Sequence, residues 1–208
     1  MNRKIPSFLI VAVAAGLGLA LSAKLFNPKA PADPPPALET VKLLPSARAL
    51  PAFSLDSNSG PVTQQSLSGH WTVIFIGFSH CPDVCPTTLT EMARAQAIWQ
   101  ASGSDNRPKL LFVSVDPERD TPAKIAEYAA YFHKDTLTAT ATGPQLAEFT
   151  RALGLVYMKV PQGDSYTMDH SATLAVINPR GEFAGIIRPP LNPEAIARDL
   201  LALSKVLP

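Results

Sequence analysis

Val73-Ile-Phe-Ile-Gly-Phe-Ser-His-Cys81-Pro-Asp-Val-Cys85-Pro86 runs from an unbroken apolar stretch straight into a pair of cysteines. Residues 73–78 (VIFIGF) read as a strand buried on both faces, since a half-exposed strand would alternate with polar residues. Leu89, Met92, Ala93 and Trp99 then recur at helical spacing and predict a helix over about residues 86–100. Residues 110–115 (LLFVSV) form a second buried run, and a strand, helix and parallel strand in this order make a right-handed crossover. Both sulfurs then lie just beyond the carboxyl end of a central strand, in the crevice where open α/β sheets bind ligands. Free N–H groups and the helix dipole at that place lower a thiol's pKa, favouring the thiolate that attacks disulfides and binds metals.

Outward from this core, residues 53–55 and Val62-Thr63 read as short strands joined by the turn Asp56-Ser-Asn-Ser-Gly60. Thr121-Pro122 supplies a cap and a first-turn proline for a helix whose apolar face is Ile125, Tyr128, Ala129 and Phe132. A shorter helix fits residues 144–153, with Leu146, Phe149 and Leu153 inward and Gly154 closing it. Residues 156–160 and 172–177 read as strands, and Asn178-Pro-Arg-Gly181 turns the chain into a last strand over about 183–187. Ile196, Leu200, Leu203 and Leu207 place one apolar stripe on a closing helix. The expected fold class is α/β, a mixed central sheet flanked by helices in the thioredoxin-like arrangement. Fold alone names no function.

The chain has 208 residues, and 18 Lys and Arg against 17 Asp and Glu leave a net charge of +1. Nucleic-acid binding calls for a concentrated basic face, and neither the total nor any long run supplies one. Residues 5–23 carry no charge, and as a helix these 19 residues span about 29 Å, close to a bilayer core of about 30 Å. Arg3 and Lys4 ahead of them predict a single-pass anchor over residues 1–26, with the remainder exported. A cleaved signal peptide competes, because Ala20-Leu-Ser22 has the small-residue spacing of a peptidase site, but the run is long for that purpose. No cysteine follows the run for lipid attachment, and no Arg/Ser-rich transit sequence is present. The expectation is a bacterial inner membrane with the folded part in the periplasm. Seven prolines between residues 27 and 51 read as an extended tether. Residues 27–49 are therefore read as a linker and 50–208 as one domain, with no internal repeat and no Gly-rich phosphate loop.

Two cysteines make neither a disulfide scaffold nor a four-thiolate zinc site, so they act as a single pair. Three residues separate Cys81 from Cys85, not the two of a thioredoxin redox motif. On a regular helix such positions hold their Cβ atoms about 5–6 Å apart, whereas a disulfide needs about 3.5–4.5 Å. A metal spans the gap more easily, so the spacing leans toward a metal while a disulfide stays open where Pro82 and Pro86 distort the turn. A third ligand is then required. His70 reads as a surface-loop residue at the far end of the strand, and His80 would have to fold back onto the ion. His133 closes a helix, where a positive side chain suits the dipole, and His170 lies just before the strand at residues 172–177, a place where a lone histidine is more often structural than a ligand. Two thiolates and an imidazole suit copper, especially Cu(I), better than magnesium or calcium.

Phe78-Ser-His-Cys-Pro-Asp-Val-Cys-Pro86, Ser114-Val-Asp-Pro-Glu-Arg-Asp-Thr-Pro122 and Asp169-His-Ser171, in that order, closely resemble the Sco/SenC family. Its members are membrane-anchored copper-binding assembly factors for cytochrome c oxidase. The resemblance covers about residues 50–206. It implies that Cys81, Cys85 and His170 hold one copper ion, Cu(I) or Cu(II), and that Cys81 and Cys85 can form a redox-active disulfide. It also implies a copper chaperone that delivers the ion to the two-copper centre of oxidase subunit II, reduces that centre's cysteines, or does both. Another periplasmic copper chaperone or thiol reductase is a further expected partner.

Lesser candidates have plain structural readings beside functional ones. Asp83 adjusts the charge of the site or caps the next turn. Asp169 steers His170 or faces solvent, and Met168 is a weak fourth ligand or a packing residue. Residues 116–122 read as a strand-end turn and helix start without metal spacing of their own. The competing function is a membrane-tethered thiol–disulfide reductase, although Asp169-His-Ser171 has no proline where thioredoxin-type reductases place one against the cysteines. A thiol peroxidase is disfavoured, because Phe78 stands where such enzymes usually carry Thr.

Overall fold

The structure is a computed structural model and describes residues 37–206. The expected anchor and the first part of the expected linker lie outside these residues. No helix among the described residues is long and apolar enough to cross a membrane.

Strands β4 (Thr72–Gly77), β5 (Lys109–Ser114) and β6 (Leu137–Ala139) pair in parallel. Strand β9 (Leu174–Ile177) joins β4 antiparallel, β10 (Phe183–Ile187) joins β9, and β1 (Lys42–Arg48) closes the far edge. The order is β1-β10-β9-β4-β5-β6. This is the mixed α/β sheet that a thioredoxin-like fold requires. Every residue of β4 is buried, as its continuous apolar run predicts. Two short strands, β2 (Ser54–Leu55) and β3 (Val62–Thr63), form a separate ribbon, as expected.

Helix α1 (Val84–Ala101) buries Cys85, Leu89, Met92 and Trp99, a set spaced to lie along one face. Helix α2 (Pro122–Phe132) opens as predicted, with Thr121 Oγ1 accepting the Lys124 N–H at 3.3 Å. Helix α3 (Gly143–Ala152) matches its reading within a residue, and α4 (Pro193–Val206) buries Ile196, Leu200 and Leu203 of the expected closing stripe, Leu207 lying outside the described residues.

Four sequence readings are corrected. Residues 42–48 belong to the domain, not to a linker, because β1 pairs with β10. Its Pro45 is tolerated on an edge strand, where the register also shifts between Leu43 and Arg48. The segment before it is tied down by the buried Asp199 carboxylate of α4. That carboxylate accepts the N–H groups of Glu39, Thr40 and Val41 at 2.7–3.1 Å. Burial alone would raise the pKa of Asp199, and these bonds hold it below its ordinary value.

Residues 157–170 form a hairpin instead of one strand and a loop. Strands β7 (Tyr157–Gln162) and β8 (Ser165–His170) pair from Tyr157↔His170 to Gln162↔Ser165, turning at Gly163 with φ 58°. His70 is not a surface residue. It is 8% exposed, and burial together with the nearby Lys109 charge pushes its pKa down to about 4. His133 does cap α2, but as a neutral ring. Burial lowers its pKa, and Nδ1 accepts the Asp135 N–H at 3.2 Å, which a protonated nitrogen could not do.

Candidate metal centre

Cys81 sits in the loop beyond β4, Cys85 in the first turn of α1, and His170 at the end of β8. Although His170 is 85 residues from Cys85 in the chain, its Nε2 lies 3.3 Å from the Cys85 Sγ. The two sulfurs and one imidazole nitrogen all lie within 4.8 Å of one another. The Cys85 N–H points at the Cys81 Sγ at 3.4 Å, a direct product of the helix start that the sequence predicts. Both cysteines are free thiols, with Cys81 half-buried and Cys85 fully buried.

Each member is fixed by its surroundings. Gly77 leaves room for Cys85, since a Cβ there would lie 2.7 Å from its sulfur and 2.9 Å from the Phe112 ring. His170 rests edge-on against Phe75 and Phe78, with ring centroids 5.8 and 6.0 Å away. Its Nδ1 is 3.2 Å from the Ser171 carbonyl oxygen, which places the proton on Nδ1 and leaves the Nε2 lone pair facing the sulfurs. Burial lowers the pKa of His170, so the ring is neutral and ready to donate that lone pair.

The thiolate expectation fails for Cys85. Burial, reinforced by the neighbouring Cys81 and Asp120, pushes its thiol well up, and the hydrogen bond from the Phe78 backbone does not offset this. A cation bound between the sulfurs supplies the charge that deprotonates such a thiol, and protons leave as it binds.

The other candidates resolve clearly. His80 is outside the group of three. Its Nε2 accepts from Lys124 Nζ at 3.3 Å, and its Nδ1 lies 3.2 Å from the Ser79 hydroxyl. Met168 is 7% exposed and packs in the core, while Asp169 faces solvent with no hydrogen bond to His170. Asp83 occupies the N-cap position of α1 without a side-chain capping bond. The reading of residues 116–122 as a plain turn missed two buried carboxylates, Asp116 at 2% exposure and Asp120 at 0%. Two acids spaced by three residues directly after a buried strand were the available signal.

Two thiols and a neutral imidazole at the rim of a mixed sheet define a centre for a soft metal ion or for thiol redox chemistry. The SCO1/SenC family pattern matches residues 42–205. The chain is 36% identical over 162 residues to a Stutzerimonas stutzeri protein named for copper binding, covering 77% of this chain and 79% of that one. It is 36% identical over 136 residues to the human mitochondrial SCO1 homolog, covering 63% of this chain and 44% of the human protein. Copper-bound Bradyrhizobium japonicum ScoI has a TM-score of 0.67 at 35% identity, over 74% of this chain and 98% of that one. Copper-bound Arabidopsis thaliana ScoI has a TM-score of 0.66 at 33% identity, over 75% of this chain and 96% of that one. The chain belongs to the SCO1/SenC family. It spans 40–50% of the length of its first mitochondrial relatives and most of the bacterial one.

Proposed function

We propose that this chain binds one copper ion through Cys81, Cys85 and His170, and that it serves cytochrome c oxidase assembly. In this reading it delivers the ion to the two-copper centre of subunit II or prepares that centre's cysteines. The observation that carries it is the convergence of three soft donors from distant parts of the chain within 4.8 Å of one another. Relatives with recorded bound copper share this fold, which supports the choice of metal.

The reduced domain is expected to bind a single copper ion. Cu(II) should give a sulfur-to-copper charge-transfer band that disappears in Cys81→Ser and in Cys85→Ser. An unchanged band in both variants rejects the assignment. The uncharged run at residues 5–23 supports a single-pass inner-membrane protein with its folded domain in the periplasm. A periplasm-dependent reporter fused after Pro208 should be active, and a silent one rejects that topology.

The second reading, a thiol–disulfide reductase, is favoured by the adjacency of Cys81 to the Cys85 N–H. In that reaction Cys81 attacks a target disulfide, and Cys85 then closes the Cys81–Cys85 disulfide. The target leaves as a dithiol that has gained two electrons and two protons. Nothing in this step uses His170.

A further inference from the structure

The six-stranded sheet carries the cysteine loop at the end of β4, but His170 lies on a hairpin that makes no ladder to that sheet. Strand pairing therefore cannot set the distance between the sulfurs and the imidazole. Met168 plugs the hairpin into the core, yet an unbranched thioether gives little directional control. Beyond the ring contacts of His170 with Phe75 and Phe78, a directional link between the two parts runs through the loop between β5 and α2.

At one end of that loop, the fully buried Asp120 carboxylate accepts the Ser79 N–H at 2.8 Å, the Ser114 hydroxyl at 2.6 Å and the Ser79 hydroxyl. Ser79 is two residues ahead of Cys81, whose own N–H bonds the Phe78 carbonyl at 3.3 Å. At the other end, Asp116 accepts the Tyr166 hydroxyl at 2.9 Å and pairs with Arg119. Arg119 donates in turn to the Tyr166 carbonyl at 3.0 Å. The Tyr166 ring lies between two cations, with Arg119 Cζ and Lys159 Nζ each 3.8 Å from its centroid. Tyr166 is on β8, the strand that ends in His170. The loop closes on itself through the Asp116 N–H, which donates to the same Ser114 hydroxyl at 3.2 Å.

We propose that residues 116–120 act as a spacer that holds the cysteine turn with Asp120 and the histidine strand with Asp116 and Arg119. The loop thereby fixes the opening of the thiol–thiol–imidazole site. Asp116, Arg119, Asp120 and Tyr166 are positioning residues, and none belongs to the donor group. The proposal rests on the reading that Cys81, Cys85 and His170 hold copper.

Two mild variants test it without emptying a buried position. Ser79→Ala removes the hydroxyl link to Asp120, and Tyr166→Phe removes the link to Asp116 while keeping the ring between its cations. Each should weaken Cu(II) binding by up to about tenfold, the low end of what losing a partner bonded directly to a metal ligand costs, because each acts on a ligand only through the chain. Each should also shift the charge-transfer band and move the His170 ring resonances of the copper-free domain, with thermal melting close to that of the parent. Cys81→Ser and His170→Ala run alongside. If those two leave copper binding intact, the ligand reading falls, and the copper-free His170 resonances still decide the role of the loop. Unmoved His170 resonances in both mild variants overturn the proposal whatever the ligands prove to be.

Discussion

His170→Ala should weaken Cu(II) binding by more than the roughly 100-fold that losing a hydrogen-bond partner behind a ligand costs, while leaving both thiols able to form and break a disulfide. The imidazole reaches the site through a neutral ring whose Nε2 faces the Cys85 sulfur at 3.3 Å. Without it the ion keeps two protein ligands and exchangeable solvent. Thiol exchange needs only Cys81 and Cys85, whose contact through the Cys85 N–H does not involve His170. In cells the variant should impair oxidase assembly nearly as much as loss of either cysteine, with partial rescue by added copper. Normal assembly by His170→Ala cells at low copper removes the delivery role and leaves the reductase reading in its place.

Gly77→Ala should damage both the packing and the cysteine site. The added Cβ would meet the Cys85 sulfur at 2.7 Å and the Phe112 ring at 2.9 Å, and both neighbours are fully buried. Both contacts are too short to keep, so the sulfur at the start of α1 and the Phe112 ring must both give way. Overpacking of this kind costs about 1–3 kcal/mol. Thermal melting should fall by several degrees, and copper affinity should fall further than that loss of stability implies, because the Cys85 sulfur proposed as a ligand has moved. A Gly77→Ala domain with parental melting and parental copper affinity would show that the sulfur has room to spare.

The cysteine pair was legible because its signal is local. A cysteine pair after an apolar strand predicts its own place at the carboxyl end of that strand. Resemblance, not spacing, singled out His170 firmly. What stayed hidden depends on long-range pairing. Strand β1 carries a proline and exposed side chains, and only its ladder to β10 shows that it belongs to the domain. Strand β8 is the polar stretch SYTMDH, half solvated and without clear alternation, so its register emerges only against β7. The carboxylates of Asp116 and Asp120 look like ordinary turn acids until their partners arrive from Ser79 and Tyr166.

The unequal exposure of the two cysteines has a kinetic consequence. Cys81 is within reach of an approaching molecule, whereas Cys85 has none of its surface open to solvent. If the site holds copper as proposed, an incoming thiol would meet the ion from the side of Cys81 and His170, both partly exposed, and the buried Cys85 sulfur would be the last to let go. A small thiol would begin such an exchange without completing it, whereas an acceptor presenting a second donor while docked would draw the ion off the inner sulfur, so the burial of one atom would favour docked acceptors over free thiols.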